Sequence, residues 1–188
     1  MDSIHRKHHA KILRTFRKIH RYAIAFLFVF FFIIAVSSIL LGWKKNTNGW
    51  IQAPNLSGTS TDFTLWKPMD SLYQSASQTL RDSISQDVSI TLDKIDIRPD
   101  KGMVKFIFLD HYWAVQMDGA TGKPLFVEYR TSDLIENIHD GSILDKWFKT
   151  NTDMIKIIYS TLMGSALILF TVTGFWMWYG PKRMRHKH

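Results

Sequence analysis

The stretch Ile157–Gly180, IIYSTLMGSALILFTVTGFWMWYG, decides the fold because its 24 residues include no charged side chain. An α-helix rises about 1.5 Å per residue, so this stretch is long enough to cross a hydrocarbon core about 30 Å thick. A second uncharged stretch, Ala23–Gly42, has 20 residues and the same capacity. The sequence therefore predicts a membrane protein with two transmembrane helices.

The charges are distributed unevenly along the chain. Residues 1–22 carry a net charge of +6 and residues 180–188 a net charge of +4, whereas residues 23–179 carry −2. Because basic flanks stay on the cytoplasmic side, we expect both termini in the cytoplasm of a bacterium and the centre of the chain on the periplasmic side of the inner membrane. The basic excess flanks the spans and contacts anionic lipid, so a pI near 9.7 does not indicate nucleic-acid binding.

The chain divides by composition into seven segments. They are a basic cytoplasmic arm (1–21), a first transmembrane helix (22–42), a periplasmic tether (43–68), a folded periplasmic domain (69–130), an amphipathic interfacial segment (131–154), a second transmembrane helix (155–179) and a basic cytoplasmic tail (180–188). The first apolar stretch is longer than that of a cleaved signal peptide, so we expect it to remain as an anchor.

Periodicity predicts an α+β fold for the central domain. An apolar residue recurs every four positions and forms the apolar stripe of a helix, at Leu72, Ala76, Leu80 and Ile84. Alternating apolar residues between positions 90 and 129 indicate four strands joined by short turns, with a bulge near residues 93–94. The predicted fold class is thus membrane α plus α+β, with two transmembrane helices flanking a helix packed on a four-stranded antiparallel meander. We expect one further short strand in the tether, at residues 62–66.

Histidine is the strongest transition-metal ligand left to this chain, because there is no cysteine to form disulfides, thiolate sites or iron–sulfur clusters. Two histidines occupy the expected ends of the spans. His20 precedes the first apolar stretch, and His139 lies before the second. Within the second span, Gly164 and Gly174 are small enough to permit close packing by another helix or a flat ligand.

Several stretches, in their order and spacing, resemble the PepSY-associated transmembrane helix family. They are RKIHRY at 17–22, the helix and meander with the turn MDGATGK at 117–123, IHDG at 138–141 and VTGFWMW at 172–178. The resemblance covers nearly the whole chain apart from the first fifteen residues and the tether. It implies a PepSY-like periplasmic domain and a link to iron acquisition, since some larger members, with four or more spans, are haem-containing reductases of ferric siderophores. This chain resembles a reduced, two-span version.

The resemblance implies that His20 and His139 are metal ligands to haem b. They are expected at opposite membrane faces and cannot share one iron within a chain. A parallel homodimer would pair two His20 side chains around an inner haem and two His139 side chains around an outer haem, with Gly164 and Gly174 leaving room for the porphyrin faces. The other interpretation is that both histidines contact lipid headgroups.

Two functions stay open at this point. The first is a haem-dependent oxidoreductase subunit that passes electrons from the cytoplasmic side to a periplasmic acceptor such as a ferric siderophore. The second is a non-catalytic, membrane-anchored binding or assembly module for a periplasmic protein partner or a larger membrane complex. A hydrolase is not expected, since the chain has no nucleophile elbow, no His-Glu-x-x-His motif and no paired acids at a recognisable spacing.

Overall fold

The computed structural model describes residues 2–150 and 152–185, so residues 186–188 of the expected basic tail lie outside the described residues. The elements in chain order are α1 (Asp2–Trp43), α2 (Met69–Ser83), β1 (Leu92–Arg98), β2 (Met103–Phe108), β3 (Trp113–Asp118), β4 (Pro124–Tyr129), α3 (Thr131–Asp140), α4 (Ser142–Phe148) and α5 (Met154–Arg185). They form two compact units. The sheet unit comprises Ile39–Glu136, and the helical unit comprises the described parts of Met1–Ser38 and Asn137–His188.

Helices α1 and α5 are both long and apolar enough to cross a membrane, over Lys11–Asn46 and Met154–Tyr179. Only 11% of either apolar stretch is buried inside the protein, whereas the core helix of a soluble domain would be mostly buried. The two helices are therefore compatible with a membrane protein of two spans. Both helices are longer than the spans predicted from the sequence. The basic arm continues α1 without a break, and α5 continues through Pro181 because the backbone φ of proline is itself helical.

The sheet is an antiparallel meander in the order β1-β2-β3-β4, as the alternation of apolar residues predicted. The register between β1 and β2 shifts between Leu92 and Lys94, which confirms the predicted bulge. The prediction of a short strand at residues 62–66 is wrong. Residues Phe63–Leu65 form a single 3-10 turn, because the Asp62 carboxylate accepts hydrogen bonds from the backbone N–H and the hydroxyl of Thr64.

Helix α2 covers one face of this sheet. Of its predicted stripe, Leu72, Ala76 and Leu80 are fully buried, whereas Ile84 follows the end of the helix and is 39% exposed. The stripe packs on alternate residues of the two central strands, namely Val104, Phe106, Phe108, Val115 and Met117. Burying large apolar side chains stabilises a domain by about 1.5–3 kcal/mol each. This layer is therefore the main hydrophobic core of the sheet unit.

The opposite face of the sheet carries buried polar side chains. Lys105 Nζ lies 2.6 Å from Glu128 Oε1, and both side chains are buried. Between them, the Gln116 amide donates to Glu128 at 3.3 Å and to the Pro54 carbonyl at 3.0 Å, while its oxygen accepts the N–H of Leu56 at 2.9 Å. A buried ion pair is tolerated when its remaining polar atoms also have partners. Gln116 supplies one of those partners.

Residues 51–60, the covering segment, close this polar face. The Gly58 N–H donates to the Lys101 carbonyl at 2.7 Å, and the Thr59 N–H and hydroxyl donate to the Asp118 carboxylate at 3.3 and 3.2 Å. The segment thus bonds mostly through its backbone. This part of the sequence-defined tether consequently belongs to the folded sheet unit and buries both faces of the central strands.

Candidate functional site

His20 lies at the contact between α1 and α5. Its Nδ1 atom is 2.9 Å from the hydroxyl oxygen of Thr173, and its ring meets Phe170 edge-on with 5.1 Å between centroids. The Thr173 hydroxyl donates its single proton to the carbonyl of Leu169 at 2.7 Å. Because that proton is already used, Thr173 accepts a hydrogen bond from Nδ1–H of His20. The Nε2 atom of the neutral ring therefore keeps its lone pair.

His139, near the end of α3, has the same arrangement. Its Nδ1 atom is 2.9 Å from Oγ of Ser37 on α1, and the Ser37 hydroxyl donates to the Ile33 carbonyl at 2.7 Å. In the part of the chain that the structure describes, Nε2 of neither histidine has a hydrogen-bond partner. Proteins orient metal-binding histidines in this way, with one ring N–H donated to a neighbouring group.

The two histidine contacts are far apart along α1. His20 and Ser37 are separated by 17 positions, which corresponds to about 25 Å along a helix. One iron atom cannot bind both histidines of the same chain. Any metal chemistry at these positions therefore belongs to two separate sites.

A cavity of about 460 Å³ opens beside His20. Its lining residues are Arg17, His20, Arg21, Ile24, Ala25 and Met177. Residues three or four positions apart share one face of a helix. The α1 residues in this lining therefore form one stripe, and Met177 follows Thr173 by one turn of α5. The cavity combines one imidazole, two guanidinium groups and an apolar wall.

Gly164 and Gly174 leave free space on α5. A Cβ atom added at either glycine would meet no heavy atom within 4 Å. The contact between α1 and α5 is formed instead by buried Leu27, Met163 and Ala166. The two glycines do not make this helix contact, and their role beside a porphyrin stays a prediction.

In the IHDG stretch at residues 138–141, Asp140 and Gly141 have structural roles in the turn between α3 and α4. Asp140 Oδ2 lies 2.7 Å from Lys156 Nζ of α5, and Oδ1 accepts the N–H of Ser142 at 3.0 Å. Burial raises the pKa of Asp140, but hydrogen bonds from Lys156 and Ser142 outweigh it, so the pKa lies below its usual value. Gly141 has φ of 81°, and a Cβ there would lie 2.8 Å from the Tyr159 ring. The turn thus fixes the last residues of α3, His139 among them, against α5 within the helical unit.

Asp145 attaches α4 to the start of α5, a role that the sequence did not reveal. Its buried carboxylate accepts the backbone N–H of Ile155 at 3.2 Å and of Lys156 at 2.7 Å, as well as the hydroxyl of Thr150. These N–H groups belong to the first turn of α5 and have no partner within the helix. Asp145 therefore caps α5 from a different helix.

The structure offers little metal-binding chemistry outside the two histidine contacts. Among the described residues, no group of three or more His, Cys, Asp or Glu side chains gathers to hold a metal ion. In the β2–β3 hairpin, His111 Nε2 lies 2.8 Å from the Ser89 carbonyl, and its Nδ1 accepts the Trp113 N–H at 3.2 Å. Both ring nitrogens of His111 are therefore used within the sheet unit.

Comparison of the chain with models of protein families, with curated proteins and with solved structures finds no match. The resemblance to the PepSY-associated family therefore rests on the residues quoted above.

Proposed function

We propose that this chain is a membrane-anchored electron-transfer protein that binds haem b through His20. One observation carries the proposal. His20 lines a cavity while its Nδ1 atom faces the Thr173 hydroxyl, so Nε2 is the ring nitrogen left to bind haem iron.

The other residues of the cavity suit such a group. The cavity, about 460 Å³ in volume, is open on one side, so a bound group would be only partly enclosed by this chain. Ile24 and Ala25 supply apolar wall, and the guanidinium groups of Arg17 and Arg21 suit the carboxylates at the edge of a haem. When bound, haem supplies a centre that takes up and gives up one electron. The chain itself would orient His20, contact the group through Ile24 and Ala25, and balance the carboxylate charge.

A membrane location supports this function. The spans of α1 and α5 leave their apolar surface exposed, and large exposed apolar surfaces indicate contact with lipid or protein. On α4, Trp147 is 73% exposed and Phe148 is also exposed, while Asp145 is buried on the other side of the helix. Exposed Tyr22 and Trp178 lie near the basic ends of the spans, where aromatic residues meet the bilayer surface. We place these basic ends in the cytoplasm and the sheet unit in the periplasm.

The direction of electron flow follows from this placement. His20 lies near the cytoplasmic ends of the spans, and the acceptor lies on the periplasmic side, where the resemblance implies a ferric siderophore. His139 has its own oriented imidazole about 25 Å away along α1. A second haem at His139 would need a further ligand, which a second copy of this chain could supply.

An absorption spectrum tests the proposal. The full chain would be expressed in haem-replete bacteria, purified in mild detergent and examined as a reduced-minus-oxidised difference. We expect Soret and α bands for the wild type and for His139→Ala, and loss of the His20-bound haem in His20→Ala. A wild-type protein without these bands would refute haem binding.

A second candidate function, docking to a periplasmic protein, is favoured by one feature of the sheet unit. Phe63 and Leu65 are 52% and 60% exposed on a turn fixed by the Asp62 carboxylate and by stacking of Phe63 on Trp66 at 4.3 Å between centroids. Rigid exposed apolar side chains suit a partner interface. Under this function, Phe63→Asp would abolish capture of the partner, and His20→Ala would leave it intact. The reverse pattern would exclude it.

A further inference from the structure

We propose that Met177 is the second axial ligand at the His20 site, so that a single chain completes this haem site. The inference rests on the proposed function and sharpens it. The sequence suggested a homodimer in which a second copy supplies the other ligand. The cavity beside His20 is also lined by Met177 of the same chain.

The lining of the cavity selects Met177. Its side chains are two arginines, one histidine, one isoleucine, one alanine and one methionine. Arginine stays protonated in proteins and has no lone pair to give, and isoleucine and alanine have no ligand atom. The thioether sulfur of Met177 is the remaining donor, and methionine with histidine is an established axial pair for haem iron.

Helix geometry places the two ligands on facing helices. His20 belongs to α1 and touches Thr173 of α5. Met177 follows Thr173 by four positions, so it lies on the same face of α5 and one turn away, about 5.4 Å. Both His20 and Met177 line one cavity. A flat group in that cavity has the imidazole contributed by one helix and the thioether contributed by the other.

The matched variants are Met177→Leu, Met177→His and Met154→Leu. Leucine keeps the apolar volume but removes the sulfur, and histidine offers a different sixth ligand. Met154, at the start of α5 and exposed, is the control because it is outside the cavity lining. Each full-length variant is purified in detergent. Its haem content, electron paramagnetic resonance spectrum, midpoint potential and native mass are then measured, with circular dichroism to verify folding.

We expect one haem per single chain in the wild type, with a low-spin spectrum and a sulfur-to-iron charge-transfer band. Met177→Leu loses that band and becomes high-spin or loses haem. Met177→His regains a low-spin spectrum with a lower midpoint potential, because methionine ligation raises the potential. Met154→Leu behaves as the wild type.

Three results would overturn the inference in distinguishable ways. A holoprotein of two chains per haem, unchanged by Met177→Leu, would show that a second copy supplies the ligand, while the proposed haem function would stand. A low-spin monomer unchanged by Met177→Leu would place the second ligand elsewhere in the chain. A folded wild type without haem, including one that retains a phospholipid in the native mass spectrum, would overturn the proposed function as well.

Discussion

The hydroxyl groups of Thr173 and Ser37 determine the chemistry of the two histidines. Each hydroxyl lies inside an apolar helix and donates to a carbonyl of the preceding turn. That local bond turns the hydroxyl oxygen into an acceptor for the imidazole, which then has a fixed tautomer. His20 and His139 are thus equivalent in hydrogen bonding. Of the two, only His20 belongs to the lining of the described cavity.

We predict that Thr173→Val weakens haem binding by about 10- to 100-fold, the usual effect of removing the group that orients a metal-binding histidine. Valine keeps the shape of threonine but cannot accept the Nδ1–H of His20. The matched control is Thr171→Val, whose exposed hydroxyl donates to the Leu167 carbonyl of its own helix. Haem titration of the two purified apoproteins measures the difference. Equal affinities would contradict the orienting role of Thr173.

Gly58 provides a second prediction at the scale of one residue. A Cβ at Gly58 would lie 2.2 Å from the carbonyl oxygen of Gly102, whereas a Cβ at Gly42 would meet no heavy atom within 4 Å. We expect Gly58→Ala to lower the free energy of unfolding of the sheet unit by about 1–3 kcal/mol, as overpacking does. Gly42→Ala should change it by less than about 0.5 kcal/mol. Chemical denaturation in detergent, followed by tryptophan fluorescence, compares the two, and equal midpoints would be inconsistent with the close approach.

Sequence reasoning found the histidines but could not find their partners. His20 and His139 stand out because imidazoles are rare beside apolar spans. Thr173 and Ser37 are polar residues within long apolar stretches, but nothing local shows which distant side chain each one meets. The same limit applies to Met177, because the face it shares with Thr173 becomes significant only once α1 and α5 are in contact.

At the scale of elements, periodicity predicted the parts of the sheet unit that depend on local pattern. The apolar stripe of α2 and the alternation in the strands, with its change of phase in β1, gave the correct helix, meander and bulge. The covering segment is different, since its residues are small, polar or proline and resemble a tether in composition. Its backbone is fixed by Gln116 and Asp118, about sixty positions later, and such long-range partners leave no periodic signal.

Asp118 makes the attachment of the covering segment sensitive to acid. Burial raises the pKa of its carboxyl, but hydrogen bonds from Thr121 and Thr59 lower it more, so the pKa lies below the usual value. A carboxylate with a depressed folded-state pKa stabilises the fold above its unfolded pKa, about 3.9, and this stabilisation is lost as pH falls through the folded pKa.

We therefore predict that Asp118→Asn destabilises the sheet unit at neutral pH and flattens the loss of stability in acid. Asp87→Asn, at an exposed position after α2, is the control. Denaturation midpoints of the full chain in detergent, measured between about pH 7 and pH 3, give both effects. A wild type and an Asp118→Asn variant with parallel pH profiles would rule out this contribution of Asp118.

At the scale of the whole molecule, the absence of cysteine permits a direct test of topology. Ser57→Cys lies in the exposed part of the covering segment, and Lys11→Cys lies in the basic part of α1. If both ends of the spans are oriented as proposed, an impermeant maleimide labels Ser57→Cys in intact spheroplasts and Lys11→Cys only after lysis. The cysteine-free wild type gives the background. Labelling of Lys11→Cys before lysis would show that the N-terminal end of α1 faces the periplasm and would contradict the proposed orientation.

The polar face of the sheet also affects how the chain reaches its native state during synthesis. The covering segment is made first, yet its partners Gln116 and Asp118 emerge from the ribosome much later, after β1 and β2. Contacts that are distant in sequence form late, so the growing meander exists for a time without its cover. Before the covering segment attaches, the polar face of the sheet exposes Lys105, Gln116 and Glu128. Charged groups on an incomplete sheet oppose aggregation. We expect Lys105 and Glu128 to keep the incomplete sheet soluble before they pair beneath the covering segment.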